Sequence, residues 1–335
     1  MIGFQCSTTI TQPSCLGRTI FPSSVATSST HSNSSVTNGI GNGIGSSSSS
    51  SSSSTNSSTT TSTTTFHNRI QISPNLIDYF PLNGDGLRLN WAHAVNNRQK
   101  LLTSLRNDDL MIEGDVSLAE TSRYPVPIMA HPPNNISDLT LEDFLIEIVR
   151  SNCAKGIKLD FKSTRVVEPA FRVLARHVDF IKGPIVLNAD ILAGPNNPET
   201  TPVDAWTFLM LCRTRFPKAI ISIGWTTNLD GQIKIGYSRE MIDHMSSLVR
   251  EYNLMQPLTF PVNATLLKYS ICEIQRLLFQ VPNSTLTVWA HPEEFANNNL
   301  TLHDLFIIRK AFSINSVFYD MPSEVINELR RASNI

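Results

Sequence analysis

Met111-Ile112-Glu113-Gly114-Asp115-Val116-Ser117-Leu118 is an apolar run interrupted by two acids at alternate positions. In a strand, residues i and i+2 point to the same face, so Glu113 and Asp115 project side by side. Two carboxylates that close repel unless a cation lies between them. The run therefore reads as one wall of a site and not as a solvated surface. Polar residues punctuate other apolar stretches in the same way. Upstream is Trp91-Ala92-His93-Ala94-Val95-Asn96; downstream are Ala130-His131-Pro132-Pro133 and Lys158-Leu159-Asp160-Phe161-Lys162.

Working outward, short β-rich runs recur at Leu89–Val95, Met111–Leu118, Gly156–Lys162, Pro184–Ile191, Ala219–Thr226, Leu258–Ala264, Leu286–Ala290 and Ser316–Met321. A short extra strand is expected at Val126–His131. Between them lie helical patterns: Asn97–Arg106, Leu139–Ser151, Val166–His177, Val203–Arg215, Ser238–Tyr252, Leu267–Phe279, Leu302–Phe312 and Ser323–Arg331. In Leu139–Ser151 the apolar Leu141, Phe144, Leu145, Ile148 and Val149 recur at three- and four-residue steps, with Asp138 or Thr140 as candidate caps. Eightfold strand–helix alternation predicts a (β/α)₈ TIM barrel over residues 68–335. The competing open, doubly wound sheet often carries a glycine-rich phosphate loop after its first strand. Here that turn reads His93-Ala94-Val95-Asn96-Asn97, with no such loop.

Active sites of such barrels sit at the C-terminal ends of the strands. There the barrel places His93, Glu113, Asp115, Asp160, Lys162, Asn188, Asp190, Ser222 and Trp225, with His131 soon after the second strand. Glu113, Asp115 and Asp160 are hard oxygen ligands suited to Mg²⁺ or Ca²⁺, and Asn188 or Asp190 is a candidate further or supporting ligand. His93 and His131 are candidates for general base and general acid on opposite sides of a scissile bond. Lys162 supplies fixed positive charge for an anionic transition state. Lys158, Asn188, Asp190, Ser222 and Trp225 are the candidate substrate contacts. This combination suits cleavage of a phosphodiester, in a lipid head group or another small molecule. Taken singly each member has a plainer reading: an internal Asp160–Lys162 ion pair, a loop histidine at 131, ordinary packing at Trp225. His177, His244 and His303 fall in predicted helices and read as surface or packing residues; His291 lies on the mouth side without further support.

The net charge is −1 and the pI about 6.7, so no nucleic-acid or membrane-surface partner is indicated. Residues 1–65 are dominated by Ser, Thr, Asn and Gly, with Arg18 the one charged residue and a serine run from Ser46 to Ser54. Such a stretch has too little apolar surface to offset the entropy of ordering, and residues 1–67 are expected to be a disordered tail. It has no apolar run of a secretory signal, and no stretch reaches the length of a membrane span. Cys153, Cys212 and Cys272 match no zinc spacing and are expected as buried free thiols, which slightly favours a cytoplasmic setting. Sequons at Asn135, Asn263, Asn283 and Asn299 point the other way, and the compartment stays open.

The ordered set of first-strand His93, Glu113 with Asp115, His131, and Asp160 with Lys162 resembles the phosphodiesterase barrels of the glycerophosphodiester phosphodiesterase and sphingomyelinase D type. Asp160-Phe161-Lys162 looks more like the sphingomyelinase D version, and Trp225 has a counterpart at that enzyme's mouth. A closer resemblance runs over nearly all of residues 75–330. Trp91-Ala92-His93-Ala94-Val95-Asn96, Ile128-Met129-Ala130-His131-Pro132-Pro133, Lys158-Leu159-Asp160-Phe161-Lys162, Asn188-Ala189-Asp190 and Ser222-Ile223-Gly224-Trp225-Thr226-Thr227 are similar to the menorin family. That resemblance implies a phosphodiesterase-like barrel and a role in development. Where the glycerophosphodiesterases have Arg-Gly after the first histidine this chain has Ala94-Val95, and Pro132 stands where they usually have Asp. These departures bear on the substrate more than on the metal set. These residues fit two functions: a metal-dependent phosphodiesterase, and a catalytically silent barrel that serves as a protein-interaction module.

Overall fold

Among the described residues nine strands, numbered in chain order, form one sheet: β1 (Trp91–Ala92), β2 (Met111–Leu118), β3 (Pro127–Met129), β4 (Gly156–Phe161), β5 (Ile185–Leu192), β6 (Ile220–Trp225), β7 (Leu258–Asn263), β8 (Thr285–Trp289) and β9 (Val317–Asp320). Eight of them run parallel in the order β1-β2-β4-β5-β6-β7-β8-β9, and β3 folds back antiparallel on the end of β2. Helices alternate with the parallel strands and cover the outside, giving a nearly closed (β/α)₈ barrel. This computed structural model describes residues 75–120, 123–229 and 235–335, all within the compact unit Ile70–Ile335. The tail expected over residues 1–67, with Cys6 and Cys15, lies outside the described residues. Among the described residues no helix is long and apolar enough to cross a membrane.

Strand alternation sorts the core into two parts. Residues on the outer face, such as Ile112, Leu159, Leu187, Ile221, Val262 and Val288, pack against the helices. Inside, at the N-terminal end, Met111, Val186, Ile220 and Phe318 meet Leu76, Phe80, Leu82 and Leu89, which plug the barrel from below. Under the helices Phe171 anchors an aromatic cluster, its ring centroid 5.2 Å from that of Phe161 and 4.9 Å from that of Phe216. Edge-to-face pairs of this kind add roughly 0.5–1.5 kcal/mol each beyond burial.

The barrel stays open at one seam. Among the described residues β1 and β9 share no ladder. β1 was expected to span Leu89–Val95 but keeps only Trp91–Ala92, because Ala94 adopts φ +51° and turns the chain inward. A 3₁₀ turn at Gly86–Arg88 fills the gap: Gly86 N–H donates to the Ile314 carbonyl, and a Cβ at Gly86 would come within 2.1 Å of the Val317 carbonyl oxygen. Arg330 completes the closure by donating to Leu87 O and Asn90 Oδ1.

The helix Leu141–Ser151 is capped by Thr140, whose hydroxyl accepts from Asp143 N–H at 3.0 Å. The single helix expected at Leu267–Phe279 divides into Ala264–Leu267, capped by Asn263, and Ile271–Gln280. Of the three barrel cysteines expected to be buried free thiols, Cys212 is buried and free, Cys153 is half-buried and free, and Cys272 is exposed and disulfide-bonded, which overturns the expectation there. Asn263 is fully buried, so its sequon offers no surface for a glycan.

Candidate active site

Above the apolar plug, the same inner faces turn polar. Glu113 and Asp115 share the face of Met111, and Asp160 on β4 lies in register with Asp115. One oxygen from each of Glu113, Asp115 and Asp160 lies within 4.8 Å of the others. Three carboxylates so close need compensation, and the surroundings supply most of it. Lys162 Nζ bridges Asp115 Oδ1 at 2.8 Å and Asp160 Oδ2 at 2.7 Å. Asn96 clamps Asp115 twice, accepting from its N–H at 2.9 Å and donating to Oδ2 at 2.6 Å. Asn188 donates to Asp160 Oδ1 at 2.7 Å, and Ser222 in turn donates to Asn188. The inward turn at Ala94 delivers its N–H to Glu113 Oε2 at 2.7 Å.

A fourth acid, Asp320 at the end of β9, sits across the seam. Its Oδ1 is 3.1 Å from His93 Nδ1, and its Oδ2 is 3.6 Å from Lys158 Nζ. Four carboxylates thus face three cationic side chains: Lys158, Lys162 and His93. Burial pushes Glu113 up to about 7 against the opposing pull of His93. Burial acts in the same sense on Asp115 but is outweighed by Lys162 and Asn96, which hold its carboxyl below the usual range. Asp320 is held down at about 2, His93 and Lys158 overcoming its burial. Asp320 and then Glu113 raise His93 to about 9 in spite of its own burial cost.

The donor chemistry fits a hard divalent cation. All three clustered groups offer carboxylate oxygens, and Glu113 is the one member of the trio without a lysine partner. His131 follows β3, where Ala130 N–H donates to Asp115 O at 2.9 Å and so ties the loop to the acidic strand. Its Nδ1 lies 2.6 Å from Pro132 O. A carbonyl only accepts, so Nδ1 carries the proton and Nε2 of the neutral ring keeps its lone pair. His131 also lies close enough to Asp115 and His291 to act on both electrostatically.

Residues 85–326 match the family described as the Menorin N-terminal domain. The chain belongs to the menorin family. Human Protein FAM151B is 38% identical to it over 270 residues, which cover 78% of this chain and 95% of that protein. Among solved structures, a chain from Silicibacter pomeroyi DSS-3 described as a glycerophosphoryl diester phosphodiesterase aligns at TM-score 0.43 and 9% identity, covering 71% of this chain and 93% of that one. A 2,3-dimethylmalate lyase aligns at TM-score 0.38 and 10% identity, covering 75% and 82%. Likenesses that slight say nothing about activity.

Within this menorin barrel, His93, Glu113, Asp115, His131, Asp160 and Lys162 gather at one end. The residues read from sequence as substrate contacts are placed differently. Lys158 is buried, paired with Asp320, and lies 5.7 Å from the centre of the Trp91 ring. Asn188 and Ser222 are buried beneath Asp160 and orient it. Trp225 is buried on the opposite face from Ser222, its ring 5.1 Å from that of Tyr237, so it does not line the mouth. Asp190 keeps partial exposure; burial, then Asp160, raises it to about 7. Gly224 leaves room for it, since a Cβ there would lie 2.7 Å from Asp190 Oδ1 and 2.7 Å from Pro261 Cγ.

Asp320 escaped the sequence reading, although an acid closing the apolar run Val317-Phe318-Tyr319 follows the same rule that singled out Asp115. Asn96 stood at the end of the stretch Trp91-Ala92-His93-Ala94-Val95-Asn96 without a role. His291 joins the mouth, its ring centroid 6.4 Å from that of His93, and burial lowers its pKa.

Proposed function

We propose that this barrel is a divalent-cation-dependent phosphodiesterase acting on a lipid head group or another small phosphodiester. The observation that carries the reading is the meeting of Glu113, Asp115 and Asp160 within ligand reach of one another, beside two histidines with distinct partners. Glu113, Asp115 and Asp160 would hold Mg²⁺ or Ca²⁺, which supplies positive charge against the nonbridging oxygens of the diester. His131, with its Nε2 lone pair free, takes the proton from the attacking hydroxyl. His93, held as imidazolium by Asp320 and Glu113, returns a proton to the leaving alkoxide from Nε2, which has no protein partner among the described residues. Lys162 keeps Asp115 and Asp160 ionised and aligned, and its charge adds to that facing the phosphate.

Calorimetry with Mg²⁺ and Ca²⁺ on the wild type and on Glu113→Ala tests the cation site; binding in the first and its loss in the second is expected. A panel of phosphodiesters assayed against His93→Ala then tests the chemistry. Equal rates in the two proteins would remove His93 from the mechanism. Absence of cation binding in the wild type would leave the barrel as an interaction scaffold.

A further inference from the structure

A second group of cations lies beside the mouth, in a cleft of about 780 Å³ bounded by Lys162, by the Pro132–Asn135 loop after His131, and by the end of β2. Clefts of this size hold small ligands. Arg123 reaches it from the β2–β3 turn, and Arg165 from the first turn of the helix Thr164–Ala175. Both side chains are exposed, and among the described residues neither forms an ion pair. Arg98, Arg172, Arg176 and Arg215, on helices around the same barrel, are each matched by a glutamate or aspartate. Ser163 also lines the cleft, and its hydroxyl caps nothing. The one acid among the described residues of the wall, Glu120, accepts from the Asn135 amide. Lys162 is already balanced by Asp115 and Asp160. The two guanidiniums therefore leave the cleft with a net positive charge, next to where a diester would sit. Guanidinium forks match the geometry of phosphate oxygens and bind them with charge-assisted hydrogen bonds.

We infer that this cleft is a subsite for a second anionic group, a phosphate monoester carried by the substrate whose diester is cleaved at the carboxylate cluster. The inference rests on the phosphodiesterase reading for the identity of the substrate, but the subsite itself is open to a direct binding test. EDTA-treated full-length protein is titrated calorimetrically with inorganic phosphate and with glycerol 1-phosphate, so that no cation at the carboxylates contributes. The wild type should bind both. The Arg123→Ala/Arg165→Ala double variant should bind about tenfold or more weakly, Arg165→Lys should retain part of the affinity, and Arg172→Ala, at an arginine already matched by Glu168, should bind as the wild type does. An unchanged thermal midpoint of the double variant shows that folding is not the cause. No binding by the wild type, or undiminished binding by the double variant, would overturn the subsite. If the diesterase reading alone is wrong, turnover is absent while this Arg-dependent phosphate binding persists. Co-sedimentation with phosphatidylcholine vesicles, with and without phosphatidic acid, separates the sources. Phosphatidate-dependent, Arg165-dependent sedimentation places the monoester on a lipid, and binding of glycerol 1-phosphate without sedimentation places it on a soluble molecule; either outcome supports the subsite.

Discussion

The lower and upper halves of the barrel interior are built from the same faces of the same strands, two residues apart. On β2 the step is from Met111 to Glu113, on β5 from Val186 to Asn188, on β6 from Ile220 to Ser222, and on β9 from Phe318 to Asp320. The lower layer needs nothing but shape, and it holds the strands together. The upper layer encloses carboxylates and cations whose separate desolvation is costly, so it adds little to stability. The contrast separates what the fold requires from what a site requires. It predicts that changes in the two layers will have different signatures.

The largest effect is expected in the upper layer. His93→Ala should lower turnover by about 10²–10⁴-fold, measured on whichever phosphodiester the wild type cleaves, with little change in the thermal midpoint once the two proteins are compared above about pH 9, where the imidazolium no longer contributes. Ile220→Ala should invert that pattern. It should cost about 2–5 kcal/mol in urea unfolding while cation affinity per folded molecule stays as it was; a lost cation site in that variant would mean the layers are not separable. The third effect is on pH dependence in metal-free protein. His93 is raised from 6.5 to about 9, so its contribution to stability is complete below 6.5 and is lost as pH rises through about 9. Glu113, raised from 4.5 to about 7, also favours the folded state less as pH rises through that range. Stability should therefore decline from neutral pH toward about 9, and His93→Gln should flatten the alkaline part of that decline. His93 is half-exposed at the rim, so solvent screening keeps the slope modest. The smallest effect, about 1 kcal/mol, is expected from Thr140→Ala, which removes a helix cap. Its unfolding midpoint should move while turnover per folded molecule does not.

Much of this contrast was readable in the chain. Period-two alternation fixes which residues share a face, so Glu113 with Asp115 and Lys158 with Asp160 followed directly from spacing. The same rule places Ser222 and Trp225, three residues apart, on opposite faces, and the structure buries Trp225 behind the strand. Closure was not readable. His93 and Asp320 are 227 residues apart and meet only because the last strand comes round beside the first. No local pattern signals that partnership, nor the inward turn at Ala94 that shortens β1 and brings a backbone N–H to Glu113. Depth below the rim was equally hidden. Alternation says that Asn188 and Ser222 point inward, but only the barrel's length and the residues above them decide that they support Asp160 and do not meet a ligand. The arginines of the side cleft come from a turn and a helix start, where no periodic signal exists.

The cation site is tested most sharply by the number of protons released when the cation binds. At about pH 6 Glu113, raised to about 7, is largely protonated in the metal-free protein, so taking up Mg²⁺ or Ca²⁺ must expel its proton. Calorimetric titrations in buffers of different ionisation enthalpy should reveal proton release on binding in the wild type, with affinity and release both collapsing in Glu113→Gln. Binding of equal strength in the two proteins, or no binding in either, would contradict the assignment of these three carboxylates to a cation.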